Sequence, residues 1–222
     1  MNQRISAFPS QALIIFARYP HVGQVKTRLA AALGAEWATT FYRCCAEKLF
    51  AESGQICCQR FLFCADEANV EMMQRWAGPH FLHVPQSEGN LGDRMVNAFD
   101  YVFNEGYQQI VIVGTDIPDL TAAILHEAFA RLDQGEVVIG PTYDGGYYLL
   151  GMRRLHRELF THIAWSTDTV FEQTMQLVDG LGLQSFRLPM LRDIDTEEDL
   201  QHWTDATPLP FRFQPLLVKL SL

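Results

Sequence analysis

Nothing in this chain approaches eighteen consecutive apolar residues, so no segment is expected to cross a membrane. Residues 1–10 hold a single basic residue, Arg4, and no apolar core, which does not read as a secretory leader. There is no C-x-x-C. The five cysteines (Cys44, Cys45, Cys57, Cys58 and Cys64) are odd in number, and neighbouring pairs bridge poorly. They read as reduced, small apolar groups, which predicts a reducing, cytoplasmic location. The seven histidines include no H-x-x-x-H pair, so no zinc site is expected. Walker A, G-x-G-x-x-G and G-x-S-x-G patterns are also absent. A net charge of −9 argues against a broad nucleic-acid surface, but leaves room for one local basic pocket. Without repeats, low-complexity runs or a flexible linker, 222 residues suit one well-buried domain.

What is present alternates between strand and helix patterns. Ala12 to Ala17 is a short apolar run rich in β-branched residues, as in a strand covered on both faces. Further strands are expected at Arg60–Cys64, Phe81–Val84, Ile110–Val113, Val137–Ile139, Tyr147–Leu150 and Ser185–Leu188. Helices are expected over 26–33, 35–51, 70–76 and 91–102, the last from the spacing of Leu91, Met95, Ala98, Phe99 and Val102. Others are expected over 120–132, 167–178 with Gly180 as a C-cap, and 196–203. The alternation predicts a single-domain α/β fold, with a mostly parallel central sheet flanked by helices on both faces. Residues 1–207 would form that domain. Residues 208–222 are an apolar tail, expected to dock on the domain or to join two copies in a homodimer.

Chemistry gathers where strand patterns stop, and in a parallel sheet those ends share one edge. After the first strand come Arg18, Gly23, Lys26 and Arg28, cations and bare backbone suited to a phosphate. Asp116 follows the most apolar strand directly. A carboxylate there is costly without a partner, and a magnesium ion beside phosphates is one such partner. Pro118, Asp119 and Thr121 would cap the next helix more readily than Asp116. Asp144-Gly145-Gly146 follows another strand. It reads either as a hairpin turn or as a place where a sugar or acceptor approaches the backbone, with Tyr147 and Tyr148 stacking on a ring or packing in the core. Asp193 and Asp195 alternate by two and would point the same way, ahead of a capping box from Thr196 to Asp199. Gly89, Asn90, Gly92 and Arg94 belong to a glycine-bearing loop entering a helix, which reads either as backbone contacting a base or ribose with Arg94 near a phosphate, or as an ordinary helix entry. Trp165-Ser166-Thr167 reads as a helix cap, with an acceptor role as the alternative.

Five segments together carry a resemblance. They are Phe16–Leu29, Gln86–Met95, Val113–Pro118, Gly140–Gly151 and Asp193–Thr196. In this order they resemble the glycosyltransferase-A-type family of bacterial radical-SAM/selenodomain-associated transferases, type one. More distantly they are similar to the molybdenum-cofactor and phospholactate guanylyltransferases. The resemblance implies a GT-A fold, a nucleoside triphosphate or nucleotide-sugar donor, and Mg²⁺ or Mn²⁺. One departure is Arg18, where the family often has lysine. Carried onto this sequence, Lys26 and Arg28 would neutralise phosphates, Asp116 with Asp193 or Asp195 would hold the metal, and Asp144 would face an unknown small acceptor. Glycosyl and nucleotidyl transfer both stay open, as does a nucleotide-binding module without turnover.

Overall fold

In the computed structural model, residues 10–65 and 69–206 are described. The expected C-terminal tail and the N-terminal segment through residue 9 lie outside these residues. Seven strands form one sheet in the order β3-β2-β1-β4-β6-β5-β7. Their ranges are β1 Gln11–Ala17, β2 Gln59–Cys64, β3 Leu82–Pro85, β4 Gln109–Val113, β5 Val137–Pro141, β6 Tyr147–Met152 and β7 Ser185–Arg187. The helices are α1 Thr27–Leu33, α2 Ala35–Ser53, α3 Val70–Ala77, α4 Leu91–Asn104, α5 Ala122–Leu132, α6 Val170–Gly180 and α7 Glu197–Ala206.

The central pairs β1–β2, β1–β4 and β2–β3 are parallel. β6 runs antiparallel between β4 and β5, because the short turn after β5 can only return the chain alongside it. Side chains alternate faces along β1. Leu13, Ile15 and Ala17 pack under the helices on one face, whereas Ala12 and Ile14 pack under those on the other. The first layer includes Leu49 of α2, Met73 of α3 and Leu125, Phe129 and Leu132 of α5. The second includes Met95, Phe99 and Val102 of α4 with Met175 and Val178 of α6. Burial on both faces is why these strands read as unbroken apolar runs.

Two helix boundaries differ from the sequence expectation. Gly180 ends α6 as a helical residue, with Leu181 at the C-cap and the left-handed turn at Gly182. The same helix starts at Val170, because residues 165–169 form a turn in which Ser166 has φ 66°. Its N-cap is therefore Thr169, without a side-chain bond, instead of Ser166 or Thr167. The start of α5 is another surprise. Thr121 is at the N-cap but makes no capping bond, and the free Ala122 N–H instead donates to Glu52 Oε2 at 2.7 Å.

A third, smaller core holds the sheet's chemical edge together. Trp37 and Phe41 of α2 pack with Leu29 of α1, Ile194, and Leu200 and Trp203 of α7. The Trp203 indole N–H donates to both Asp119 carboxylate oxygens at 3.0 Å, tying α7 to the loop after β4. Trp203→Ala should therefore cost about 3–5 kcal/mol in equilibrium urea unfolding, the range for a buried large aromatic. A cost under about 1 kcal/mol would mean that α7 is not anchored this way.

Candidate active site

A cleft of about 780 Å³ opens along the edge where β1 and β4 end. Its walls combine Arg18, Lys26, Asp116, Asp144, Asp193 and Asp195 with the turn carrying Trp165. Five segments distant in sequence thus share one cavity, as the common edge of the parallel strands requires.

At its centre is Lys26. Its Nζ lies 3.2 Å from Asp116 Oδ2 and 3.4 Å from Asp195 Oδ1. Arg28 reaches the other oxygen of Asp195, Oδ2, at 3.3 Å. The Lys26 side chain is only 4% exposed, whereas Asp116 and Asp195 open onto the cleft at 45% and 36%. Lys26 itself adopts φ 48° and ψ 49°, the left-handed region seldom taken by a residue with a side chain. The helix it precedes, α1, has seven residues and no acidic or capping side chain at its start. The cationic character here therefore comes from side chains, not from a long helix dipole.

Each acid is positioned by local structure. Asp116 follows Thr115, whose hydroxyl bonds the Tyr42 hydroxyl at 3.1 Å. Tyr42 in turn donates to the Arg18 carbonyl at 3.0 Å and accepts from the Arg18 N–H at 2.9 Å. One buried phenol thus ties the end of β1 to the end of β4. Ile194 is fully buried in the third core, so its neighbours Asp193 and Asp195 both line the cleft. The Ile194 N–H donates to the Asp116 carbonyl at 3.3 Å, joining the two acidic segments through backbone. Below them the capping box closes as the sequence suggests. Thr196 N–H donates to Asp199 Oδ2 at 2.9 Å, and Asp199 N–H to Thr196 Oγ1 at 3.2 Å.

Asp144 sits in the turn between β5 and β6, accepting from Thr142 Oγ1 at 2.5 Å and the Gly146 N–H at 3.0 Å. Gly146 lines the cleft, but Gly145 does not. At φ 86° a Cβ on Gly145 would run into the Asp168 carbonyl, so its bareness serves packing of the two turns. Both tyrosines border the cleft and both pack inward: Tyr148 is buried and donates to the Pro189 carbonyl at 3.0 Å, while Tyr147 packs on the second core with its hydroxyl buried.

Several other expected ligand contacts lie elsewhere. Gly23 is in a turn with φ 80° and does not line the cleft. Asn90 is the N-cap of α4, in a reciprocal box with Asp93, and Gly89 packs on Asp93. Gly92 lies under the Trp165 indole, whose nearest atoms would stand 2.6 Å from an added Cβ. These three glycine-loop residues support α4 and are not in the cavity wall. Arg94 does line it, held by Gln86 Oε1 at 3.0 Å. Tyr42 and Asp168 carry no expectation of lying at this edge, whereas Trp165, Ser166 and Thr167 line the cleft as their acceptor-site alternative would have it.

Electrostatics separate the acids. Lys26 beside Asp116 holds that carboxyl below the usual range. Burial would lower the lysine, but Asp116 and Asp195 outweigh it and the ammonium is raised. Asp193 behaves oppositely. Burial, with the nearby Asp144 and Asp116 charges, pushes it up to about 6, against the pull of Lys26. A pair of carboxylates around one cation, open to the cleft on their other side, suits a hard divalent ion completed by waters and phosphate oxygens. Among the described residues no three His, Cys, Asp or Glu side chains are arranged to hold a metal without such help.

The Asp193 shift has a stability consequence. Between the ordinary carboxyl value of about 4 and the folded value of about 6, the folded protein keeps a proton that the unfolded chain releases. Stability therefore falls as pH rises through that window. Asp193→Asn should stabilise the metal-free protein by about 1–3 kcal/mol near pH 7.5, a gain that vanishes by about pH 4. Urea unfolding at the two pH values reads this; a variant less stable at both would contradict it.

No curated protein matches the chain in sequence. Among solved structures it is similar over nearly its full length to the "putative nucleotide-diphospho-sugar transferase" of Desulfovibrio desulfuricans G20. The two are 28% identical with a TM-score of 0.88, covering 95% of this chain and 94% of that one. The CMP:2-keto-3-deoxy-manno-octonic acid synthetase complexed with CTP shares the fold at 10% identity and TM-score 0.55, covering 86% of this chain and 95% of that one. So does Rv0371C of Mycobacterium tuberculosis H37Rv, in complex with manganese, at 14% identity and TM-score 0.51, with coverage of 89% and 98%. The fold is thus that of nucleotide-diphospho-sugar transferases and nucleotidyltransferases. The family described as uncharacterized protein conserved in bacteria (DUF2064) matches residues 49–167, more than half of the chain, and this protein belongs to it.

Proposed function

We propose that this protein is a divalent-metal-dependent transferase that uses an activated nucleotide, an NDP-sugar or an NTP, to modify a small acceptor. The observation that carries this reading is the meeting of Asp116, Asp195, Lys26 and Arg28 at one point of the cleft. Two carboxylates and two cations from segments up to 169 residues apart match a metal and the phosphates it bridges. The CTP of one fold relative and the manganese of another support the reading. The finer placement within the radical-SAM/selenodomain-associated transferases rests on the five motif segments.

In this reading Asp116 and Asp195 hold Mg²⁺ or Mn²⁺. Bound there, the metal would offset charge gathering on the phosphate oxygens. Lys26 and Arg28 bind the same phosphates from the side of β1, and Arg18 extends the cationic wall. Asp144, fixed by Thr142 and Gly146, faces the acceptor across the cleft and accepts a hydrogen bond from its hydroxyl or amine. Asp193 stands beside it, so the acceptor end of the cleft is acidic and disfavours an anionic acceptor.

Glycosyl transfer is the leading form, given the match over nearly the full chain. Nucleotidyl transfer is favoured by one feature: the strand-end motif reads T-D-I-P, and the D-I-D pair comes much later in the chain. Pyrophosphate release from labelled NTPs distinguishes the two.

The test of the shared claim is thermal stabilisation. Mg²⁺ together with one or more NTPs or NDP-sugars should raise the melting temperature, by several degrees at saturating ligand. Asp116→Asn should lose most of that shift while remaining folded. No shift with any nucleotide plus Mg²⁺ would overturn the reading.

A further inference from the structure

We propose that Lys26 guards the metal position, occupying it between Asp116 and Asp195 until a phosphate group draws the lysine away. A divalent cation then enters with the nucleotide or after it, and not before. This rests on the metal reading above, and adds to it an order of binding.

The geometry is direct. Nζ stands 3.2 Å from Asp116 and 3.4 Å from Asp195, between the two carboxylates proposed as ligands. A magnesium ion on the same oxygens would lie roughly 2 Å from them, within a few ångströms of the ammonium. Two cations that close repel strongly, most of all where water is scarce. The Lys26 side chain is 4% exposed, so solvent screens it little. One cation must therefore yield the carboxylates to the other.

The surroundings identify which part moves, and toward what. Val25 and Leu29 are buried, so the backbone on either side of Lys26 is anchored and the side chain is the movable piece. Its flexible four-carbon stem ends in a compact charge, which can exchange a carboxylate for a phosphate oxygen without losing a fixed fork of bonds. Arginine could not make that exchange as freely. Arg28 is 76% exposed at the mouth of the same site and is placed to meet the phosphates first. Without a phosphate, leaving the two acids would strand a largely buried ammonium, which is why the lysine stays.

The test uses the full chain and Mn²⁺ alone as probe, with free ion counted by electron paramagnetic resonance. Wild type should bind Mn²⁺ weakly in the absence of nucleotide. Lys26→Met should bind at least about tenfold more tightly. The gain should vanish in Lys26→Met/Asp116→Asn, which locates it at this site. Circular dichroism checks folding, and Lys26→Gln replaces the Met variant if that one does not fold. Equal Mn²⁺ affinity in wild type and variant would overturn the guarding role. So would the absence of binding in both. In either case, a melting shift of wild type with Mn²⁺ plus any of the nucleoside triphosphates or NDP-sugars would leave the metal reading standing. No such shift would sink both together.

Discussion

The structure turns on a single buried ammonium shared by two carboxylates. Isolated in a wall that water hardly reaches, the Lys26 charge would be expensive, and Asp116 and Asp195 offset that cost. The acids in turn need a cation, because Asp193 and Asp144 crowd the same cleft with further negative charge. Each side of the arrangement is tolerable only because the other is present. Such mutual dependence across 169 residues of sequence is a demand on the whole fold, since the strand ends must be held in register to satisfy it.

The fold meets this demand with two linked devices. The first is the parallel arrangement of β1 and β4, which brings both ends to one edge, with Tyr42 bonding across them. The second is the third core. Ile194 points down into the aromatic cluster of Trp37, Phe41 and Trp203, and this sends Asp193 and Asp195 up. The D-I-D spacing is thus a packing pattern as much as a chemical one. An apolar residue between two acids anchors them, and the bond from Ile194 N–H to the Asp116 carbonyl fixes their position against β4.

Much of this was legible in the sequence, for identifiable reasons. Runs such as Ile110–Val113 announce a strand covered on both faces, and residues that follow them must lie at one edge of a parallel sheet. The antiparallel insertion of β6 was less legible, because its turn residues fit a ligand loop and a hairpin equally well. The glycine loop before α4 fits a ligand-facing loop and an ordinary helix entry equally well in sequence, because glycine permits close approach of either kind. What approaches Gly92 is Trp165, some seventy residues later, and Asn90 is engaged in a local cap. Contacts of this kind depend on tertiary neighbours that a single sequence does not reveal. The same holds for Glu52, which caps α5 from another helix in place of the nearby Thr121.

The most direct examination of the central claim is a crystal structure of the protein with Mn²⁺ and a nucleoside triphosphate, with the metal located by anomalous scattering. The account predicts a manganese peak bounded by Asp116 and Asp195, phosphates spanning toward Arg28, and the Lys26 ammonium on a phosphate oxygen. A nucleotide bound elsewhere on the sheet, with Lys26 still bridging the two aspartates and no metal beside them, would contradict it.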